Sequence, residues 1–97
     1  MDWIYQNDFH YFWGETLRVY KKDPARARSF YQECLKVSQN TGDWPAYWCM
    51  FRLGEISRDG GNKDQAAEIM LRAEAAGRAE AGFAAEVDRA LREIGKR

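Results

Sequence analysis

The sequence predicts an all-α chain of about five helices, the last of them capping the rest, and three observations carry that prediction. Apolar residues recur at helical rather than alternating spacing along most of the 97 residues. Turn-forming clusters separate those stretches, at Lys21-Lys22-Asp23-Pro24, Asn40-Thr41-Gly42-Asp43 and Asp59-Gly60-Gly61-Asn62. The chain also repeats itself. Trp13-Gly14-Glu15-Thr16-Leu17-Arg18 returns 40 positions later as Leu53-Gly54-Glu55-Ile56-Ser57-Arg58. Each copy is followed by a turn and a second helix, with an Ala 13 or 12 residues after the Gly, at Ala27 and Ala66. Self-similarity at such a period is the mark of stacked helix pairs.

Residues 2–22 form the first helical segment, dense in rings: Trp3, Tyr5, Phe9, Tyr11, Phe12, Trp13 and Tyr20. Phe9, Phe12, Trp13, Leu17 and Tyr20 share one helical face, expected to meet the core, which leaves Tyr5 and Tyr11 for a second surface. Asp2 and Asp8 are both candidate N-caps. Asp23 then caps the second helix, with Pro24 in the first helical position, where its missing N–H is not needed. Ala27, Phe30, Tyr31, Cys34, Leu35 and Ser38 form the stripe of that helix, and Gly42 suits its termination.

Trp44-Pro45 opens the third helix, whose Tyr47, Trp48, Met50, Phe51, Leu53, Gly54 and Ile56 are apolar nearly all round, as in a helix packed between neighbours. Asn62 with Gln65 reads as a capping box for the fourth, with Ala66, Ile69, Met70 and Ala73 turned inward. A fifth helix, 80–94, sets Phe83, Val87, Leu91 and Ile94 on one face and Glu86, Asp88, Arg89, Arg92 and Glu93 on the other. One apolar face and one charged face describe a terminal cap. The tail Gly95-Lys96-Arg97 is expected to fray.

Composition narrows the function classes. Hydrophobic residues at 45% and charged ones at 31% describe an ordinary soluble chain. Fifteen basic against fifteen acidic residues argue against a nucleic-acid partner, and the cluster Lys21, Lys22, Arg26, Arg28 reads as a solvated turn. No run of 18 apolar residues spans a membrane, and Met1-Asp2-Trp3-Ile4 lacks the features of a signal peptide, so a cytoplasmic protein is expected. Cys34 and Cys49 are expected to be small buried hydrophobes in a reducing compartment, with a redox pair as the other reading.

The hairpins resemble tetratricopeptide repeats. Gly14 with Ala27, and Gly54 with Ala66, occupy the family's paired small positions; Tyr31 with Cys34, and Met70 with Ala73, stand at its large-then-small positions on the second helix. Asp23 and Gly61-Asn62 stand at its turn. The match covers 8–78, divided into hairpins at 8–40 and 44–78 with the cap at 80–95. Two departures are a spacing of 40 against the family's 34 and Ser38 and Arg78 near the places where a Pro is usual. The resemblance implies one domain, 1–97, built as a right-handed stack of antiparallel hairpins. It also implies a concave groove lined by the first helix of each pair.

By position, that groove takes Tyr11, Glu15 and Arg18 from the first hairpin and Phe51, Arg52, Glu55 and Arg58 from the second. The family's chaperone-tail binders place Lys and Asn there; Tyr11, Phe51, Glu15 and Glu55 replace them, so a carboxylate clamp is not expected. A segment with an apolar anchor and mixed charge fits better. The plain alternative makes Glu15–Arg18 and Glu55–Arg58 simple i,i+3 pairs. Catalytic chemistry finds no constellation: His10 is the one histidine, without companions at metal spacing, and no phosphate loop follows a strand. No metal, cofactor or enzymatic activity is therefore expected. The expected function is an adaptor binding a protein or peptide. A homo-oligomer using Trp3, Tyr5 and Tyr11 is the alternative, and a dedicated chaperone or regulatory subunit the weaker one. In the non-interface reading, 1–6 fold back over the end of the stack.

Overall fold

Helical periodicity and turn chemistry carry through to five helices in the computed structural model: α1 (Asp2–Val19), α2 (Pro24–Val37), α3 (Trp44–Asp59), α4 (Lys63–Ala76) and α5 (Ala81–Glu93). The structure describes the backbone of 2–37 and 44–97 and the side chains of 10–36 and 45–97, and no described residue is in a strand. Ser38, Gly42 and the side chains of Trp3, Tyr5 and Phe9 lie outside the described residues, so the expectations resting on them do too.

The caps follow their sequences. Asp23 Oδ1 accepts from the Arg26 backbone N–H at 3.2 Å, tying down an otherwise unsatisfied donor of α2. Lys22, just before it, takes a left-handed φ of 53°, which reverses the chain between α1 and α2. Asn62 Oδ1 accepts from the Gln65 N–H at 3.1 Å, while its amide donates to Gln65 Oε1 at 3.3 Å.

α1 packs on α2, α3 packs on α4, and α2 joins the two pairs through α3; α5 lies against α4. Two apolar clusters result. One gathers Tyr47, Phe51, Ala66, Met70, Ala73, Phe83, Val87, Leu91 and Ile94. The other holds Leu17, Ala27, Tyr31, Cys34, Cys49 and Ile56. α3 contributes to both, which is why it is apolar nearly all round.

Close approach sets the rotation of each first helix. A Cβ on Gly54 would sit 3.0 Å from Met70 Cγ and 3.4 Å from the Ala66 carbonyl oxygen, so the pairing with Ala66 is direct. A Cβ on Gly14 would lie 2.6 Å from Tyr31 Cε1, so Tyr31, rather than Ala27, fills the space beside that glycine.

Gly14 thereby overturns the expected core face of α1. Turning Gly14 toward α2 buries Leu17 and directs Phe12, Trp13 and Tyr20 outward, at 56%, 47% and 80% exposure, with Val19 at 47%. Tyr11, expected on a second surface, packs instead toward Tyr31, with ring centroids 6.3 Å apart. Large rings do not claim the interior when a glycine offers a closer helix contact.

Two further expectations are corrected. Cys34 and Cys49 are buried, as expected, but they are joined in a disulfide with Cα atoms 6.5 Å apart. Side chains on α2 and α3 that share one cluster bring the sulfurs together, a proximity that helical spacing along each segment does not reveal. The tail is also tied down. Lys96 pairs with Asp64, and Arg97 donates to Glu74 at 2.8 and 2.9 Å and to Asp88 at 3.1 Å.

Candidate functional site: the polar face across α1 and α3

The repeated Gly-Glu-x-x-Arg step puts a Glu and an Arg one turn apart on α1 and again on α3, and the packing brings the two copies together. Glu15 is the hub. Its Oε1 accepts from the Tyr31 hydroxyl at 2.6 Å and from Arg52 Nε at 2.8 Å, and its Oε2 accepts from Arg18 Nη2 at 3.1 Å. Arg18 Nε also donates to the Tyr31 oxygen at 3.3 Å. On α3, Arg52 Nη1 donates to Glu55 Oε1 at 2.6 Å, and Arg58 lies 3.8 Å from Glu55 Oε2. Arg58 Nε continues to Asp59 Oδ1 at 3.0 Å.

A second, smaller hub adjoins it. Arg52 lies with its guanidinium carbon 5.3 Å from the Trp48 ring centroid and 5.6 Å from that of Phe51. The Trp48 indole N–H donates to Glu80 Oε1 at 3.3 Å, and the Tyr47 hydroxyl donates to the same oxygen at 2.7 Å. Glu80 thus ties the start of α5 to α3.

Half-burial gives these contacts weight. The Glu15, Arg52 and Glu55 side chains are 22%, 17% and 16% exposed, well below the exposure at which an ion pair contributes almost nothing. Burial pushes the Tyr31 hydroxyl far above its ordinary pKa, and its bond to Glu15 adds to the shift. Burial and the Glu15 charge raise Tyr11 in the same sense. For Arg52, burial works against the charge, yet Glu55 and Glu15 outweigh it and keep the guanidinium above its ordinary value. Tyr47 is pushed up to about 12, first by its bond to Glu80.

Of the nine residues expected at a partner surface, six come together here: Tyr11, Glu15, Arg18, Arg52, Glu55 and Arg58. Phe51 does not join them. It is 1% exposed and packs edge-on to Phe83 at 5.8 Å, so it offers core rather than surface. The side chains of Trp3 and Tyr5 lie outside the described residues.

Sequence reasoning left out Tyr31, Trp48 and Glu80. Tyr31 and Trp48 sit on apolar stripes and read as core, but a buried Tyr or Trp needs a partner for its polar end, and that need is the legible signal. The pairs are also more than i,i+3 contacts, because Glu15–Arg52 joins the two hairpins directly.

Among the described residues, no three His, Cys, Asp or Glu side chains are grouped to hold a metal ion, and no helix is long and apolar enough to cross a membrane. No family model matches the chain, and no curated protein or solved structure matches it either.

Proposed function

We propose that the chain is a non-catalytic interaction module: a tetratricopeptide-like, right-handed stack of two hairpins and a capping helix that holds a segment of another protein on its α1/α3 face. The observation that carries this reading is the assembly of six candidate groove residues into one preorganised, half-buried polar face next to Trp48. Three donors from the chain itself occupy the Glu15 carboxylate, so it is a poor acceptor for a ligand. What the face presents outward is arginine edge and indole. That combination suits an extended segment with an acidic group beside an aromatic or aliphatic anchor. The cytoplasmic location expected from the sequence sits poorly with a buried disulfide, which persists most readily in an oxidising compartment.

Photo-crosslinking tests the proposal. A benzophenone amino acid replacing Arg58 should capture a partner that the same probe replacing Gln32, on α2 away from this face, does not. Binding of the captured segment should weaken at least about ten-fold in Arg18→Ala, a loss of about 1.4 kcal/mol. Equal capture from both positions would sink the groove reading.

A further inference from the structure

The Glu15 hub and the Cys34–Cys49 bond belong to one closed ring of contacts. Tyr31 stands one turn before Cys34 on α2, and Arg52 one turn after Cys49 on α3. Both donate to the same atom, Glu15 Oε1, at 2.6 and 2.8 Å. The disulfide therefore joins the two helices a single turn from each of the donors that converge on Glu15. α1 closes the ring from the other side. It packs mainly on α2, with Gly14 against Tyr31, and meets α3 far less. The place of Glu15 relative to Arg52 is thus set through α2, and the disulfide is the covalent tie from α2 to α3.

Breaking the bond acts at that point. Two thiols need more room than the bond between them, because unbonded atoms keep van der Waals distance. Both cysteines are fully buried in one cluster with Leu17, Ala27, Tyr31 and Ile56, so the room comes from displacing α2 from α3. A hydrogen bond of 2.8 Å is lost beyond about 3.5 Å, so a shift of roughly 0.7 Å frees Arg52 from Glu15. Arg52 keeps Glu55, its partner on the same helix at 2.6 Å. Glu15 loses its link to the second hairpin, and its charge is left turned toward the face.

We infer that the Cys34–Cys49 bond is a redox latch on the polar face: oxidised, it holds Arg52 on Glu15, and reduced by a dithiol, it lets them part. One reductant thiolate attacks a cysteine sulfur and displaces the other cysteine as a thiolate; the second reductant thiol then displaces the first cysteine. Two electrons and two protons pass to Cys34 and Cys49, and the dithiol leaves as its own disulfide. Because both sulfurs are buried, attack requires α2 to open from α3, and the Glu15–Arg52 pair opposes that opening. Bond and ion pair each stabilise the other, as coupled sites must. The consequence for binding rests on the adaptor reading. A Glu15 no longer matched by Arg52 repels an acidic segment, so the reduced face binds it more weakly.

Nitrogen-15 NMR of the arginine side chains tests the latch on the whole chain. The Arg52 Nε–H should exchange with water at least about ten-fold faster once dithiothreitol has reduced the bond. Mass spectrometry confirms the reduction by the gain of two hydrogens. Backbone amides of Val87 and Leu91 in α5 should stay protected, which shows that the fold persists. Cys34→Ala/Cys49→Ala should give the fast Arg52 signal with and without dithiothreitol. In the other direction, Arg52→Gln should be reduced at least about five-fold faster than wild type. Arg72→Gln, which removes an exposed pair on α4, should be reduced at the wild-type rate. An Arg52 Nε–H that exchanges equally in both states overturns the latch, as does equal reduction of Arg52→Gln and wild type. Loss of α5 protection along with the Arg52 signal overturns it too, since the bond would then be a staple for the whole fold. None of these readouts needs a ligand, so a failed latch leaves the adaptor reading standing, and a failed Arg58 cross-link leaves the latch.

Discussion

α1 and α5, the two end helices, handle the same problem in opposite ways. α5 brings Phe83, Val87, Leu91 and Ile94 onto α3 and α4 with no more than 7% of any of them exposed, and turns its ion pairs to solvent. α1 buries Leu17 and leaves Phe12, Trp13, Val19 and Tyr20 between 47% and 80% exposed, with Trp13 stacked on Phe30 of α2. α5 has a single apolar stripe, and one core absorbs it. α1 carries apolar groups on two faces, and a helix at the edge of an array meets only one neighbouring layer.

Core truncation should break the symmetry of that comparison most strongly. Phe83 is fully buried against Tyr47, Trp48 and Phe51, with centroids 4.6, 4.8 and 5.8 Å away. Phe83→Ala should cost about 3–5 kcal/mol in a urea titration. Tyr20→Ala, at the open end, should stay within about 0.5 kcal/mol when measured on dilute monomer. Similar losses at the two sites would mean that α1 is sealed after all.

The Cys34–Cys49 bond holds the open half to the closed half. It spans 15 residues of sequence, and a loop of that length predicts about 3 kcal/mol of stabilisation. Cys34→Ala/Cys49→Ala should lower stability by about 2–4 kcal/mol. The loosening should be uneven, with amide exchange rising more in α2 than in α5, because the bond lies in the cluster that α5 does not reach. Uniform acceleration along the chain would argue that the two halves unfold as one unit.

Within the closed half, Gly54→Leu should force α3 from α4 at roughly 1–3 kcal/mol, since even a Cβ would sit 3.0 Å from Met70 Cγ. Gly60→Ala should be far milder. The left-handed φ of 90° belongs to Gly61, and a Cβ on Gly60 would come no closer than 3.5 Å to anything. A urea midpoint for Gly54→Leu equal to wild type would remove the close helix contact from the account.

How much of this was legible in the sequence depends on what each feature rests upon. The buried stripe of α5 was readable because it is single and leaves no choice of face, although the rings it meets on α3 lie more than 30 residues away. The Asp23 and Asn62 caps were readable because their chemistry is confined to a few adjacent residues. The rotation of α1 was not. Its apolar residues fit two faces, and the choice lies with the Gly14–Tyr31 approach, a contact across helices. For the same reason the six polar residues could be named but not joined. Glu15 meets Arg52 only after the hairpins pack, and Tyr31 supplies a hydroxyl that looked like one more core ring. The disulfide was missed for the opposite reason: burial alone explained both cysteines, and nothing in their separate helical patterns required them to meet.

The smallest expected effect concerns the tail that fastens α5. Glu74 accepts from Arg97, and that bond is the first cause of a pKa held below the ordinary 4.5, opposed by desolvation and by neighbouring Asp88. Lys96 lowers Asp64 in the same way. A carboxylate whose folded pKa is depressed contributes stability that is fully present above its unfolded value and disappears as pH falls through the folded one. The tail should therefore stay fastened at pH 6 and release below about 4.5, with little loss of overall stability, since the groups are exposed or partly so. Amide exchange isolates the effect. The N–H groups of Ile94, Gly95 and Lys96 bond back to Ala90, Arg92 and Leu91, and their protection, corrected for intrinsic rates, should fall between pH 6 and pH 3. Because the α5 core is apolar, protection inside the helix should change less. Equal protection of the three tail amides at both pH values would show that the backbone bonds hold α5 closed without the ion pairs, and the sealing of this end would then rest on its apolar face alone.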